Sequence, residues 1–129
     1  MLYLHSSAIV KLVAREPESE ALARVIANDP EVVSSALAWT EVVRAARRWR
    51  SNTSGAEQVV ASIPMIPIDD GILRRAAELP PVTLRTLDAI HIATALSIRE
   101  DLAALVTYDA RMAEAATEQD LRTLSPASA

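Results

Sequence analysis

The chain has 129 residues, half of them hydrophobic and 23% charged, which is the size and balance of one globular domain and excludes a disordered segment. It has no Cys, so disulfides, thiolate zinc sites, Cys nucleophiles and iron–sulfur clusters are excluded, and a reducing cytoplasm is the expected compartment. A net charge of −4 excludes a surface that attracts nucleic acid as a whole, so any contact with a polyanion must be local or metal-mediated.

No run reaches the ~18 apolar residues of a membrane span. Met1-Leu2-Tyr3-Leu4-His5 lacks the basic and long apolar regions of a signal peptide, so no membrane role is expected. Phe is absent, and the aromatics are Tyr3, Trp39, Trp49 and Tyr108. Ala, Leu, Val and Ile must therefore fill the core.

Leu2-Tyr3-Leu4 is a short apolar run that reads as a buried strand, ended by the polar His5-Ser6-Ser7. Ser6 or Ser7 can cap a helix over Ala8 to Ala14, and Pro17 suits the first position of a helix through Ala27. A second strand is expected over Glu31 to Ser34, then a long helix from Ser35 to Arg50. Ser51 to Gly55 is a turn cluster, Ala56 to Ser62 a brief helix, and Pro64 to Ile68 a third strand bracketed by prolines. Asp69 or Asp70 caps a helix to Leu79, which Pro80-Pro81-Val82-Thr83 breaks. Thr86-Leu87-Asp88 opens the next helix, running to Glu100. Ala104 to Tyr108 is the fourth strand, Asp109 caps a last helix to Glu118, Leu121 to Leu124 reads as a fifth, edge strand, and Ser125 to Ala129 as a frayed tail. Strands alternating with helices predict right-handed βαβ units, hence one α/β domain with a mostly parallel four- to five-stranded sheet and helices on both faces.

In such a sheet ligands bind beyond the carboxyl ends of the strands. The polar residues at strand ends or following helix starts are His5, Asp69, Asp70, Asp88 and Asp109, with Glu41 added if the long helix passes over that edge. Two glycines cannot build a phosphate-cradling loop, and neither a Gly-x-Ser-x-Gly elbow nor a His-Glu-x-x-His helix is present. What remains is a set of carboxylates. Brought together they repel and call for a hard cation such as Mg²⁺ or Mn²⁺, the combination that activates water on phosphodiesters. Held apart, the same residues are ordinary helix caps. Spacing alone leaves both readings open.

Four segments carry more information together: Leu4-His5-Ser6-Ser7-Ala8, Thr40-Glu41-Val42-Val43-Arg44-Ala45, Leu87-Asp88-Ala89-Ile90-His91-Ile92-Ala93-Thr94-Ala95, and Val106-Thr107-Tyr108-Asp109-Ala110-Arg111-Met112. In order and spacing they resemble the signature segments of PIN-domain ribonucleases, and within that family the VapC-type toxins of bacterial toxin–antitoxin pairs. The resemblance spans nearly the whole chain. It implies a three-layer α/β/α fold, an acidic quartet holding Mg²⁺ or Mn²⁺, cleavage of RNA, a VapB-type antitoxin that covers the site, and a homodimer built on apolar helix faces. Glu41, Asp88 and Asp109 match the second, third and fourth acidic positions. The first departs from the pattern, because His5 stands where the family has Asp. An introduced substitution and a natural retuning both account for this, while a shifted motif does not, since the next acid is Glu16. The swap exchanges anionic oxygen for one neutral nitrogen, better suited to Mn²⁺ or Zn²⁺ than to Mg²⁺. The chain as written is therefore expected to be an impaired nuclease. The alternatives are a PIN domain that binds antitoxin or RNA without cutting, and a flap-type DNA nuclease.

Ser7 and Thr107 bring hydroxyls near this site, Ser7 matching the family's small hydroxyl residue after the first acid; helix capping explains Ser7 equally. Arg44 and Arg48 share a side of the long helix with Glu41 and either steer a phosphate backbone, tie down Glu41, or form an ordinary solvated pair. Arg44, Arg47, Arg48 and Arg50 are the one basic cluster. Trp39, Val42, Ala46 and Trp49 make one apolar face, read as core or interface packing. His91, one turn beyond Asp88, reads as a packed helix histidine or a support to the site. Asp69 and Asp70 read as caps.

Overall fold

Alternation along two short strands sets the layers of the molecule. On β1 (Leu2–Leu4), Leu2 and Leu4 join one hydrophobic cluster and Tyr3 another; on β4 (Ala104–Val106), Ala104 and Val106 join the first and Leu105 the second. Side chains on a strand point alternately to opposite faces, so both faces of these strands are buried, as a parallel sheet between helices requires. The computed structural model describes residues 1–49 and 53–127. Its sheet has the order β3-β2-β1-β4-β5 and is parallel throughout, with β2 (Val32–Ser35), β3 (Met65–Ile66) and β5 (Thr123–Leu124) completing it.

The helices are α1 (Ser6–Val13), α2 (Ser19–Asn28), α3 (Leu37–Arg48), α4 (Thr53–Ala61), α5 (Asp70–Glu78), α6 (Thr86–Ser97) and α7 (Ala110–Glu118), with a 3₁₀ turn at Arg99–Asp101. Residues of α1, α3 and α4 pack on the face of Leu4 and Val106, and those of α6 and α7 on the face of Tyr3 and Leu105; α5 and α6 share a smaller cluster around Ile72 and Ala93. This is the expected three-layer arrangement, and the fifth strand pairs in parallel at the edge. No described helix is long and apolar enough to cross a membrane.

Several boundaries move, each for a local reason. His5, not a serine, caps α1: its ring accepts from the Ser7 backbone N–H. Pro17 lies ahead of α2, whose first turn is held by Ser19 binding back to Lys11 and Glu16. The turn expected through Gly55 begins a helix at Thr53 instead. The third strand shrinks to Met65–Ile66, because the prolines on either side cannot donate to a ladder. Asp69 and Asp109 cap α5 and α7 as expected. The tail is tied rather than frayed as far as Pro126: Ser125 donates to the Thr107 carbonyl, and the Tyr108 hydroxyl to that of Pro126. The end of the long helix at Arg50, the turn residues Ser51 and Asn52, and the tail residues Ser128 and Ala129 lie outside the described residues.

Candidate metal and nucleic-acid site

From β1 the chain steps to β2 and β3 on one side and later to β4 and β5 on the other, so the sheet order reverses between β1 and β4. A crevice opens beyond the carboxyl ends at such a switch point. His5 follows β1 there and Asp109 follows Thr107 and Tyr108 after β4. Glu41 comes from the first turns of α3 and Asp88 from the first turn of α6. All four line one cavity of about 300 Å³, together with Arg85, Thr86 and Leu87. The structure thus brings together four residues that lie up to a hundred positions apart.

Two hydroxyls lock the strand ends. Ser7 Oγ lies 2.8 Å from His5 Nδ1 and 3.1 Å from Thr107 Oγ1 and accepts from the Tyr108 N–H at 2.9 Å; Thr107 Oγ1 accepts from the Asp109 N–H at 3.1 Å. Ser7 and Thr107 are therefore braces between β1 and β4 that aim His5 and Asp109. With Nδ1 engaged in this brace, Nε2 is the His5 nitrogen left to the cavity. Burial, then the neighbouring His91 ring, pushes the His5 pKa down to about 4, so the imidazole is neutral at pH 7.

Glu41 is held from behind. Ser6 donates to its Oε1 at 2.6 Å, and His91 Nε2 lies 2.6 Å from the same oxygen. The other His91 nitrogen lies 2.7 Å from the Tyr3 hydroxyl. With a carboxylate on Nε2, the partners assign the proton to that nitrogen and make Nδ1 the acceptor of the Tyr3 O–H. Burial raises the Glu41 carboxyl, but the bonds from His91 and Ser6 outweigh it and hold the pKa below the ordinary value. Burial likewise pushes the Tyr3 phenol far up, so it stays a donor. Both bonds fall on Oε1, which leaves Oε2 to the cavity.

Asp88 and Asp109 converge on one guanidinium. Arg85 donates to Asp88 Oδ2 at 2.8 Å and to Asp109 Oδ2 at 3.1 Å. The other oxygen of Asp109 accepts from the Arg111 and Met112 N–H groups as the cap of α7. These backbone donors, with His5 and Arg85, overcome partial burial and lower the Asp109 pKa. Among the described residues, no three His, Asp or Glu side chains stand ready-made to hold a metal ion. The donor set nonetheless fits a divalent cation: two carboxylate oxygens already share a positive group and a third carboxylate keeps an oxygen free. His5 Nε2 carries the ring proton while Nδ1 accepts from the Ser7 N–H, and it becomes a ligand only when that proton moves to Nδ1 and is donated to Ser7 Oγ or Thr107 Oγ1.

Other expected contributors lie elsewhere. Arg44 and Arg48, with Arg47, line a separate surface hollow, and the groups tying down Glu41 are His91 and Ser6. The apolar stripe of α3 divides: Val42 and Ala46 are in the core, while Trp39 and Trp49 are 42% and 54% exposed. Asp69 stays a cap, away from the cavity. Arg85 went unread in the sequence, although an arginine three residues before a helix-start aspartate is an i,i+3 ion-pair signal.

The PIN domain family model matches residues 2–118. The chain is similar to Ribonuclease VapC46 of Mycobacterium tuberculosis, 44% identical over 126 residues and covering 97% of each chain. It is also 40% identical to Ribonuclease VapC35 of the same species over 134 residues, covering 100% of this chain and 99% of that one. A solved toxin-antitoxin complex from Klebsiella pneumoniae contains a chain with a TM-score of 0.76 at 20% identity, each chain covered in full.

Proposed function

The chain belongs to the PIN-domain family, and from that premise we propose that it is an endoribonuclease toxin of the VapC type, dependent on Mg²⁺ or Mn²⁺ and weakened by His5. The observation that carries this reading is the gathering of Glu41, Asp88 and Asp109 in one cavity at the switch point of the sheet. Glu41, Asp88 and Asp109 would hold the cation, joined by the His5 Nε2 in the tautomer that carries its proton on Nδ1 and donates it to Ser7 or Thr107. A bound divalent cation would supply a Lewis acid that makes water nucleophilic at neutral pH and screens the phosphodiester. The chain's own residues prepare for this. Ser6 and His91 orient Glu41, Ser7 and Thr107 aim the residues that end β1 and follow β4, and Arg85 bridges Asp88 and Asp109. Arg44, Arg47 and Arg48 offer the local positive surface that an acidic chain needs to draw in an RNA backbone.

The test is cleavage of a mixed RNA with Mg²⁺, Mn²⁺ and EDTA in parallel. His5→Asp restores an anionic oxygen and should raise Mg²⁺-dependent cleavage by at least the roughly 10–100-fold typical of groups that merely support a ligand. Adding Asp88→Asn should abolish it again. Equal activity of the His5 protein and its His5→Asp variant would refute the impairment.

The second reading is a PIN domain that binds without cutting. It is favoured by the same His5 and by the Arg85 ion pairs on both aspartates. For partners we propose a VapB-type antitoxin over the site and a second copy of the chain, with Trp39 and Trp49 as anchors.

A further inference from the structure

Two cavities meet at Arg85. It lines the acid cavity with His5, Glu41, Asp88 and Asp109. With Asp88 it also lines a neighbouring cavity of about 300 Å³, whose walls include Thr83, Arg111 and Glu114. Its side chain is 54% exposed and bonds to Asp88 Oδ2 and Asp109 Oδ2. The backbone of Arg85 stands at the start of α6, where the side chain makes no capping bond. A half-exposed arginine on a flexible stem, held by two ion pairs, is readily displaced. The oxygens it occupies are the hard, anionic ligands a divalent cation takes. Guanidinium and cation cannot both sit there, because their charges repel.

We propose that Arg85 is a resident counter-ion: it holds Asp88 and Asp109 together while no divalent cation is bound, yields them when one binds, and turns into the neighbouring cavity beside Arg111 to take a phosphate of the RNA. The proposal rests on the nuclease reading above. The charges support the coupling. Asp88, Asp109 and Arg85 together carry one net negative charge, which repels a phosphate. Once a divalent cation balances the two aspartates, the guanidinium is free and positive. Metal binding and RNA binding then reinforce each other through one side chain. Glu114 and Glu118, further along α7 on the wall of the second cavity, disfavour a phosphate there and leave the space between Arg85 and Arg111, at the start of that helix, as the place for it.

The experiment compares the full chain with Arg85→Gln and Arg111→Gln. Mn²⁺ affinity is read by electron paramagnetic resonance at low ionic strength. Affinity for a short RNA oligonucleotide, checked on a gel to be intact after each titration, is read by fluorescence anisotropy with and without Mn²⁺. Arg85→Gln should bind Mn²⁺ about threefold to tenfold tighter, the equivalent of losing two weak ion pairs, and Arg111→Gln should stay near wild type. Wild type should bind the oligonucleotide more tightly when Mn²⁺ is added, and Arg85→Gln should lose that gain. If Arg85→Gln melts early, Arg85→Lys, which keeps the charge but not the two-pronged fork, is read instead and should also bind Mn²⁺ tighter than wild type. Unchanged Mn²⁺ affinity, an equal gain in Arg111→Gln, or a full metal-linked gain in RNA affinity without Arg85 overturns the proposal. Failure of the nuclease reading looks different: neither wild type nor His5→Asp cuts RNA with any cation, while the Mn²⁺ arm still reports on Arg85.

Discussion

His5 does three jobs at once: it ends β1, caps α1 and lines the acid cavity. Its burial has a consequence for stability. The unfolded chain takes up a proton near the ordinary value of 6.5, and the folded chain only near 4. Between those values the unfolded state binds more protons, so stability falls as pH falls; the contribution is complete above the upper value and gone below the lower one. A shift of this size corresponds to at most about 3 kcal/mol. Urea melts at pH 7.5, 5.5 and 4.5 should show wild type losing more than His5→Asn, and parallel losses would assign the acid limb to other groups. His91 is the second residue with a double role, fully buried yet bonded to both Glu41 and Tyr3. His91→Leu should take from the Tyr3 hydroxyl its His91 acceptor and release Glu41. The expected cost is about 1–3 kcal/mol in denaturant melts, with a further loss of cleavage in the His5→Asp background that a remote destabilising change such as Ile72→Val does not produce.

Among the elements, the starts of α6 and α7 supply two carboxylates of the cavity. Asp109 is both the cap of α7 and a carboxylate of the cavity, and these roles can be separated. Asn caps as well as Asp, so Asp109→Asn should keep stability while losing cation affinity and cleavage; Asp109→Ala should lose both, with about 1 kcal/mol from the cap. A large stability loss in Asp109→Asn would show that charge, rather than capping, holds the helix start. The same double nature explains what could be read from the sequence. Asp69 and Asp109 were legible as caps, because an aspartate before a helix is a local signal. Whether such a cap is also a ligand depends on which strand lies beside it, and that is set by long-range pairing. His5 as a cap was missed because two serines beside it are better local candidates. The Arg85–Asp109 bond and the Ser6–Glu41–His91 chain escape such a reading because each joins segments brought together only by the sheet, whereas Arg85–Asp88 is a local i,i+3 pair that the sequence did offer. The third strand was overread because Ile68 continues the apolar pattern, although Pro67 ends the ladder.

For the whole molecule, negative charge and exposed indoles both shape association. Trp39 and Trp49 stand out from a chain whose other aromatics, Tyr3 and Tyr108, are buried or half-buried. Sedimentation over a range of concentrations should show a self-associating species that Trp39→Ala and Trp49→Ala weaken; a single monomeric boundary throughout would remove the second copy from the list of partners.

The strand order also governs when the site can exist at all. β1 is made first, yet its partner β4 begins only at Ala104, and Asp109 comes later still. A chain emerging from the ribosome carries His5, Glu41 and Asp88 long before it can align them. The pairing that aligns them is among the most distant in the chain, and such contacts form late. A polypeptide that stalls or is cut before Asp109 therefore lacks one carboxylate of the cavity however much of it has folded. The cavity is completed last, so any activity it supports belongs to the finished chain alone.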